Sequence, residues 1–287
     1  MPTASGDLAK LPVARLRRAL GAQSKKEYSM SENTSFQLSS SDPGLLQKAT
    51  RIAEAYTRSL VSEEIVGIVL LGAIARGYFD ADADIDFGVF KRSGSAFELK
   101  DKFFRIDGIE VHVWLSDFEA EVTEAWGMSK RWTYSQGRIF HDTDGRVSRL
   151  LVDKVPLRAD VRKWLLMSGL TLSEWYVRTL SKRWVSRGNI VSAHHMFDQG
   201  VTHFFDMLYG LNNALVPDVK WGYFYAERLA RLPGGFQDRI GSTLICRALT
   251  LEELERRRDV FMEMWSEMKP VIEDEVQMSF DEMVQQV

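Results

Sequence analysis

Residues 72–86 read Gly72-Ala73-Ile74-Ala75-Arg76-Gly77-Tyr78-Phe79-Asp80-Ala81-Asp82-Ala83-Asp84-Ile85-Asp86. The apolar run Ile65-Val66-Gly67-Ile68-Val69-Leu70-Leu71 stands before this stretch, and Phe87-Gly88-Val89-Phe90 follows it. The run ahead of Gly72 has the length and composition of a buried strand. Gly72 and Gly77 bound a sharp turn, and the alternation that starts at Asp84 predicts a second strand. Side chains on a strand point alternately to opposite faces, so Asp84, Asp86 and Gly88 share one face and Ile85, Phe87 and Val89 the other. The apolar face enters a core, and the opposite face presents two carboxylates a few ångströms apart. Asp80 and Asp82 precede the alternation and read as loop charges.

Two like charges held together on a strand repel one another, and a shared cation relieves the repulsion. Carboxylate oxygens are hard ligands and suit Mg²⁺ best. Glycines at a strand-to-helix turn also let backbone N–H groups approach an anion closely. A phosphate cradle next to a Mg²⁺ site points to a nucleoside triphosphate.

Beyond Phe90, Lys91-Arg92-Ser93-Gly94-Ser95 reads as a solvated loop. Lys102–Ile106 and Ile109–Trp114 flank Asp107-Gly108, a strong hairpin signal. In the second arm Ile109, Val111 and Val113 face the core. Glu110, His112 and Trp114 face away from it, with His112 read as a half-buried polar neighbour of the site. On the N-terminal side, Asp42 suits a helix N-cap and Pro43 the first helical position. Leu45, Ala49, Ile52, Tyr56 and Leu60 then recur at helical spacing. Residues 117–131 read as a helix and 138–142 as a short strand. Amphipathic segments follow at 157–187, 190–213, 221–232, 236–247 and 250–284, predicting a helical domain. In the second of these, His194, His195, Gln199, His203 and Asp206 read as a polar face. The tryptophans read mostly as core or groove lining.

Gly72-Ala73 with Ala75-Arg76-Gly77, followed by Ala83-Asp84-Ile85-Asp86, resembles the nucleotidyltransferase superfamily of DNA polymerase beta-like folds. The type it resembles is the minimal and antibiotic-modifying nucleotidyltransferases. The resemblance implies an α+β fold: a small mixed β-sheet with packed helices, followed by an all-α helical domain. It implies that Gly72, Ala73, Arg76 and Gly77 bind nucleotide, and that Asp84 and Asp86 are catalytic and hold metal. Glu110 falls where the family carries its third carboxylate. Lys220 is a further nucleotide-binding candidate, by resemblance only. Two Mg²⁺ ions and ATP or another triphosphate are implied, with AMP passing to a hydroxyl acceptor. The acceptor is a small molecule such as an antibiotic, or a protein. Ala73 departs from the family, which has Ser or Gly there, and a missing hydroxyl contact is worth about 0.5–1.5 kcal/mol. The alternative is a non-catalytic nucleotide-binding or antitoxin-like partner module on the same fold.

The 287 residues carry a formal net charge of −3, without the basic excess of a dedicated nucleic-acid binder. Cys246 is the single cysteine, so no intrachain disulfide forms, in keeping with a reducing, cytoplasmic compartment. The longest apolar run is too short for a bilayer. Residues 1–40 read as a disordered tail, as an over-long start with Met30 as the alternative, or as an Arg-containing targeting segment. The catalytic domain is placed at 41–155 and the helical domain at 156–287.

Overall fold

In the computed structural model, which describes residues 41–287, the first helix starts where its capping residues lie. The readings of residues 1–40 fall outside the described residues. Helix α1 spans Pro43–Leu60, and the Asp42 carboxylate accepts from the backbone N–H of Gly44 at 2.7 Å and of Leu45 at 3.1 Å. These donors have no partner within a helix, so the cap stabilises the end by about 1 kcal/mol. The chain divides into two compact units between Pro156 and Leu157.

The first unit continues with β1 (Ile65–Leu71), wholly buried, and α2 (Gly72–Arg76). Then come β2 (Ile85–Lys91), β3 (Phe103–Ile106), β4 (Ile109–Asp117), α3 (Phe118–Thr123) and α4 (Met128–Ser135). Strand β5 (Arg138–Asp142) and α5 (Arg146–Lys154) close it. The five strands form one mixed sheet in the order β3-β4-β2-β1-β5. Strand β2 pairs antiparallel with β1 and parallel with β4, and β3 and β5 pair antiparallel at the two edges. Asp107 at φ 49° and Gly108 at φ 84° form the two-residue hairpin turn between β3 and β4.

Each sheet face has its own cover. Ala49, Ile52 and Ala53 of α1 pack on Ile85, Phe87, Val89, Val111 and Val113. Tyr56 reaches Phe87 and Phe104 at ring distances of 5.4 and 5.2 Å. On the other face, Phe90 meets Phe118 of α3 and Tyr134 of α4. The Tyr134 ring lies against Gly88, and Val147 of α5 lies against Gly67, both positions where a side chain would collide. The helix expected over 117–131 is two helices. The chain leaves helical form between Thr123 and Met128, and Trp126 there is buried against Tyr134 at 4.9 Å.

The second unit is helical throughout. Helix α6 (Ala159–Glu174) runs through a π-helical stretch, Trp175–Leu180, into α7 (Ser181–Ser186). Helix α8 (Ile190–Leu211) lies close against it. A Cβ on Gly169 would stand 2.8 Å from the His203 carbonyl, and one on Gly200 would stand 2.9 Å from that of Ser173. The segments expected at 221–232 and 236–247 shorten to α9 (Gly222–Ala226) and α10 (Phe236–Leu244), with Pro233-Gly234-Gly235 between them. The segment at 250–284 is broken at Gln277, φ 55°, into α11 (Leu251–Val276) and α12 (Phe280–Val284). A Ser279/Glu282 capping box starts the last helix. Phe197, Phe204 and Phe261 are fully buried at the centre of this unit's core.

Candidate metal centre

Strand register builds the centre. Leu71 of β1 pairs with Asp86 of β2, and Asp86 pairs with His112 of β4. The bend that follows Leu71, the Asp86 carboxylate and the His112 imidazole therefore lie in a row across the sheet. Asp84 stands two residues before Asp86, on the same face. His112 Nδ1 is 3.0 Å from Asp84 Oδ2 and 3.5 Å from Asp86 Oδ1. One ligand atom from each of Asp84, Asp86 and His112 can be chosen so that all lie within 4.8 Å of one another. Among the described residues, this is the group of histidine and carboxylate side chains placed to hold a metal ion. The Asp86 and His112 side chains are 18% and 23% exposed and that of Asp84 38%, so solvent screens the repulsion between the aspartates only in part.

The Gly72 bend touches this group directly. Gly72 has φ 69°, and a Cβ there would overlap the Asp86 carboxylate and lie 3.2 Å from its Cγ. Glycine is required twice over, by the backbone conformation and by the space Asp86 occupies. Gly77 closes α2 at φ 91° with open space around it. Ala73 is buried. The Arg76 guanidinium stacks 4.4 Å from the Trp132 ring centre and so ties α2 to α4.

Glu110 lies on the same face as His112, but its carboxylate pairs with Arg105, its cross-strand neighbour on β3. Its Oε2 is 3.9 Å from His112 Nε2, on the side of the ring away from the aspartates. The place beside Asp84 and Asp86 is taken by His112, which alternation had put on this face without distinguishing it from Glu110. Lys220 belongs to the second unit. It is exposed in a 3₁₀ turn, and its backbone N–H donates to Asp218 at 3.2 Å.

On this face the helices meet Phe90 and Gly88 of β2 and Gly67 of β1, while two aromatic rings of β3 and β4 stay exposed. Phe103 is 66% exposed and Trp114 48% exposed, and their rings flank His112 at 5.0 and 6.0 Å. Of the tryptophans, Trp126, Trp132 and Trp265 are buried, whereas Trp114, Trp164 and Trp175 are exposed.

The polar face expected on α8 is only partly one. His194 is buried: Nε2 donates to the Thr250 carbonyl at 3.0 Å, and Nδ1 accepts from Arg257 at 3.0 Å. Arg257, itself buried, also donates to the Thr243 carbonyl at 2.7 Å and to Asp198, and stacks over Phe197. These contacts satisfy the histidine inside the core, which is why it need not face solvent. Burial pushes the Asp206 carboxyl up to about 6 and pulls His203 below the ordinary histidine range.

Among the described residues, no helix is long and apolar enough to cross a membrane. The family model that matches the chain is a domain of unknown function (DUF4037), over residues 129–222. No curated protein matches the chain in sequence. Among solved structures, the chain is similar to a nucleotidyltransferase-like protein from Exiguobacterium sibiricum 255-15. The two are 16% identical, with 80% of this chain and 78% of that chain covered and a TM-score of 0.46.

Proposed function

We propose that this chain is a cation-dependent nucleotidyltransferase that moves AMP from ATP to a hydroxyl acceptor, a small molecule of antibiotic type, in the cytoplasm. The observation that carries the reading is the convergence of Asp84, Asp86 and His112 beside the Gly72 bend. It is joined by the resemblance of residues 72–86 to the superfamily's motif.

The residues fit a divalent ion. Two carboxylates and an imidazole meet there, with one ligand atom from each lying within 4.8 Å of the others. A bound ion would supply Lewis-acid polarisation of the α-phosphoryl group and withdraw charge from the leaving pyrophosphate. Asp84 and Asp86 would hold it, and the bend from Gly72 to Gly77 would receive the phosphates. In the reaction, the acceptor oxygen forms a bond to the α-phosphorus and the bond from that phosphorus to the bridging oxygen breaks. The acceptor's proton passes to the rim of the site, where Glu110 is the exposed carboxylate.

The test is pyrophosphate release by purified protein with each nucleoside triphosphate and divalent ion in turn, against aminoglycosides, lincosamides and a cell extract. Asp86→Asn should stay folded by circular dichroism and lose release by at least 100-fold. Release at the parent rate from that variant would overturn the assignment. Ala73, which lacks the family's hydroxyl, favours a second reading, a nucleotide-binding module without catalysis. Triphosphate binding with no release under any condition selects it.

A further inference from the structure

Oxygen ligands alone would select Mg²⁺, and the donor set that the fold assembles is not made of oxygen alone. We infer that the centre takes a divalent first-row transition ion through the His112 Nδ1 nitrogen, with Asp84 and Asp86 as the oxygen donors. The inference rests on the nucleotidyltransferase reading for the use made of the ion, and on geometry for the ion's class.

Several independent features place the imidazole as a donor. The parallel pairing of β2 with β4 sets His112 directly beside Asp86. Nδ1 faces both aspartates, at 3.0 and 3.5 Å. The ring is held edge-on by Phe103 at 71° and by Trp114 at 88°, so its orientation is set by packing. Nε2 points toward Glu110 at 3.9 Å, which puts a carboxylate on the far side of the ring, where outer carboxylates orient a metal-bound histidine. Glu110 is itself engaged by Arg105.

Donor chemistry then sets the class of ion. Mg²⁺ is bound almost wholly through oxygen, whereas imidazole suits first-row transition ions and carboxylates also suit Mn²⁺. An ion that accepts both donor types fits this set best, and Mn²⁺ is the convenient probe. The competing role for His112 is a hydrogen-bond partner of the two aspartates, which would be displaced when an ion binds.

The experiment titrates the full chain with Mn²⁺, reading free ion by electron paramagnetic resonance, with and without competing Mg²⁺. Nitrogen coupling to the bound Mn²⁺ is then sought by pulsed measurement on the unmodified protein. The expected results are nitrogen coupling that disappears in His112→Ala, and a Mn²⁺ affinity loss of roughly 10- to 100-fold or more in that variant, since removing even an outer partner costs that much. His112→Asp, which restores oxygen donors, should lower the preference for Mn²⁺ over Mg²⁺ at least tenfold. Bound Mn²⁺ without nitrogen coupling would overturn the inference even if either variant misfolds, because that measurement uses the parent chain. An unchanged preference in a folded His112→Asp would overturn it as well. Pyrophosphate release with Mg²⁺ but no nitrogen coupling would leave the enzymatic reading standing and this inference refuted. Nitrogen coupling without turnover of any triphosphate would do the reverse.

Discussion

Replacing Gly72 with alanine should damage both the fold and the ion site. The backbone there has φ 69°, a conformation that costs an L-residue about 1–2 kcal/mol. The new methyl group would also overlap the Asp86 carboxylate, with Cγ at 3.2 Å and Cβ at 3.4 Å, so that side chain must leave its rotamer. An off-rotamer side chain costs about 0.5–1.5 kcal/mol. The two effects together predict a loss of roughly 1.5–3.5 kcal/mol in urea unfolding followed by far-ultraviolet circular dichroism. Gly77→Ala is the internal control. Its φ is 91° and a Cβ there meets nothing within 4 Å, so only the backbone cost of about 1–2 kcal/mol applies. Ion binding should separate the two variants sharply. Gly72→Ala displaces a ligand and should weaken Mn²⁺ or Mg²⁺ binding at least tenfold, whereas Gly77→Ala should leave it near the parent value. Equal ion affinity in the two variants would refute the claim that Asp86 is held against the bend.

Further expectations concern groups outside the bend. The Asp206 carboxyl is raised by burial to about 6, so the folded chain holds that proton more tightly than the unfolded chain does. Its contribution to stability is fully present below the unfolded value and is lost as pH rises to about 6, by about 2–3 kcal/mol. Asp206→Asn should flatten that part of the pH profile in urea unfolding and raise stability at neutral pH; an unchanged slope would count against burial as the cause. Arg257→Ala strands the buried His194 Nδ1 and the Thr243 carbonyl, while the half-exposed Asp198 returns to water, and should cost about 1–3 kcal/mol for each buried group left unpaired, seen as an early loss of helical signal on heating. Arg105→Ala removes an exposed ion pair with Glu110 and an exposed hydrogen bond to the Gly108 carbonyl, and should change stability by less than about 1 kcal/mol. If it instead abolishes ion binding, Glu110 is coupled to the centre through more than its position.

Local signals made much of the first unit readable. Asp42-Pro43 specifies a helix start through its own carboxylate, Asp107-Gly108 specifies a two-residue turn, and the alternation after Asp84 specifies which face carries charge. Each of these depends on residues within a few positions of one another. The identity of the third group beside the aspartates depends instead on how β4 lies along β2, strands separated in sequence by a loop and strand β3. Alternation shows Glu110, His112 and Trp114 to be equivalent; only the pairing of Asp86 with His112 separates them. The burial of His194 was hidden for the same reason, since its partner Arg257 lies on another helix far along the chain. The break between α3 and α4 was missed because a helical pattern of apolar residues continues through Trp126, which the folded chain uses in a turn.

The parallel ladder between β2 and β4 carries a consequence for how such a centre can change over time. A strand shifted by two residues keeps its inward and outward faces. The loop from Arg92 to Asp101 supplies the slack ahead of the hairpin, so a two-residue insertion or deletion there could slide β4 while Val111 and Val113 still point into the core. Such a slide would bring Glu110 or Trp114 opposite Asp86 in place of His112. A lineage could thereby exchange a nitrogen donor for an oxygen donor, or for none, through loop length alone and without a single substitution at the centre.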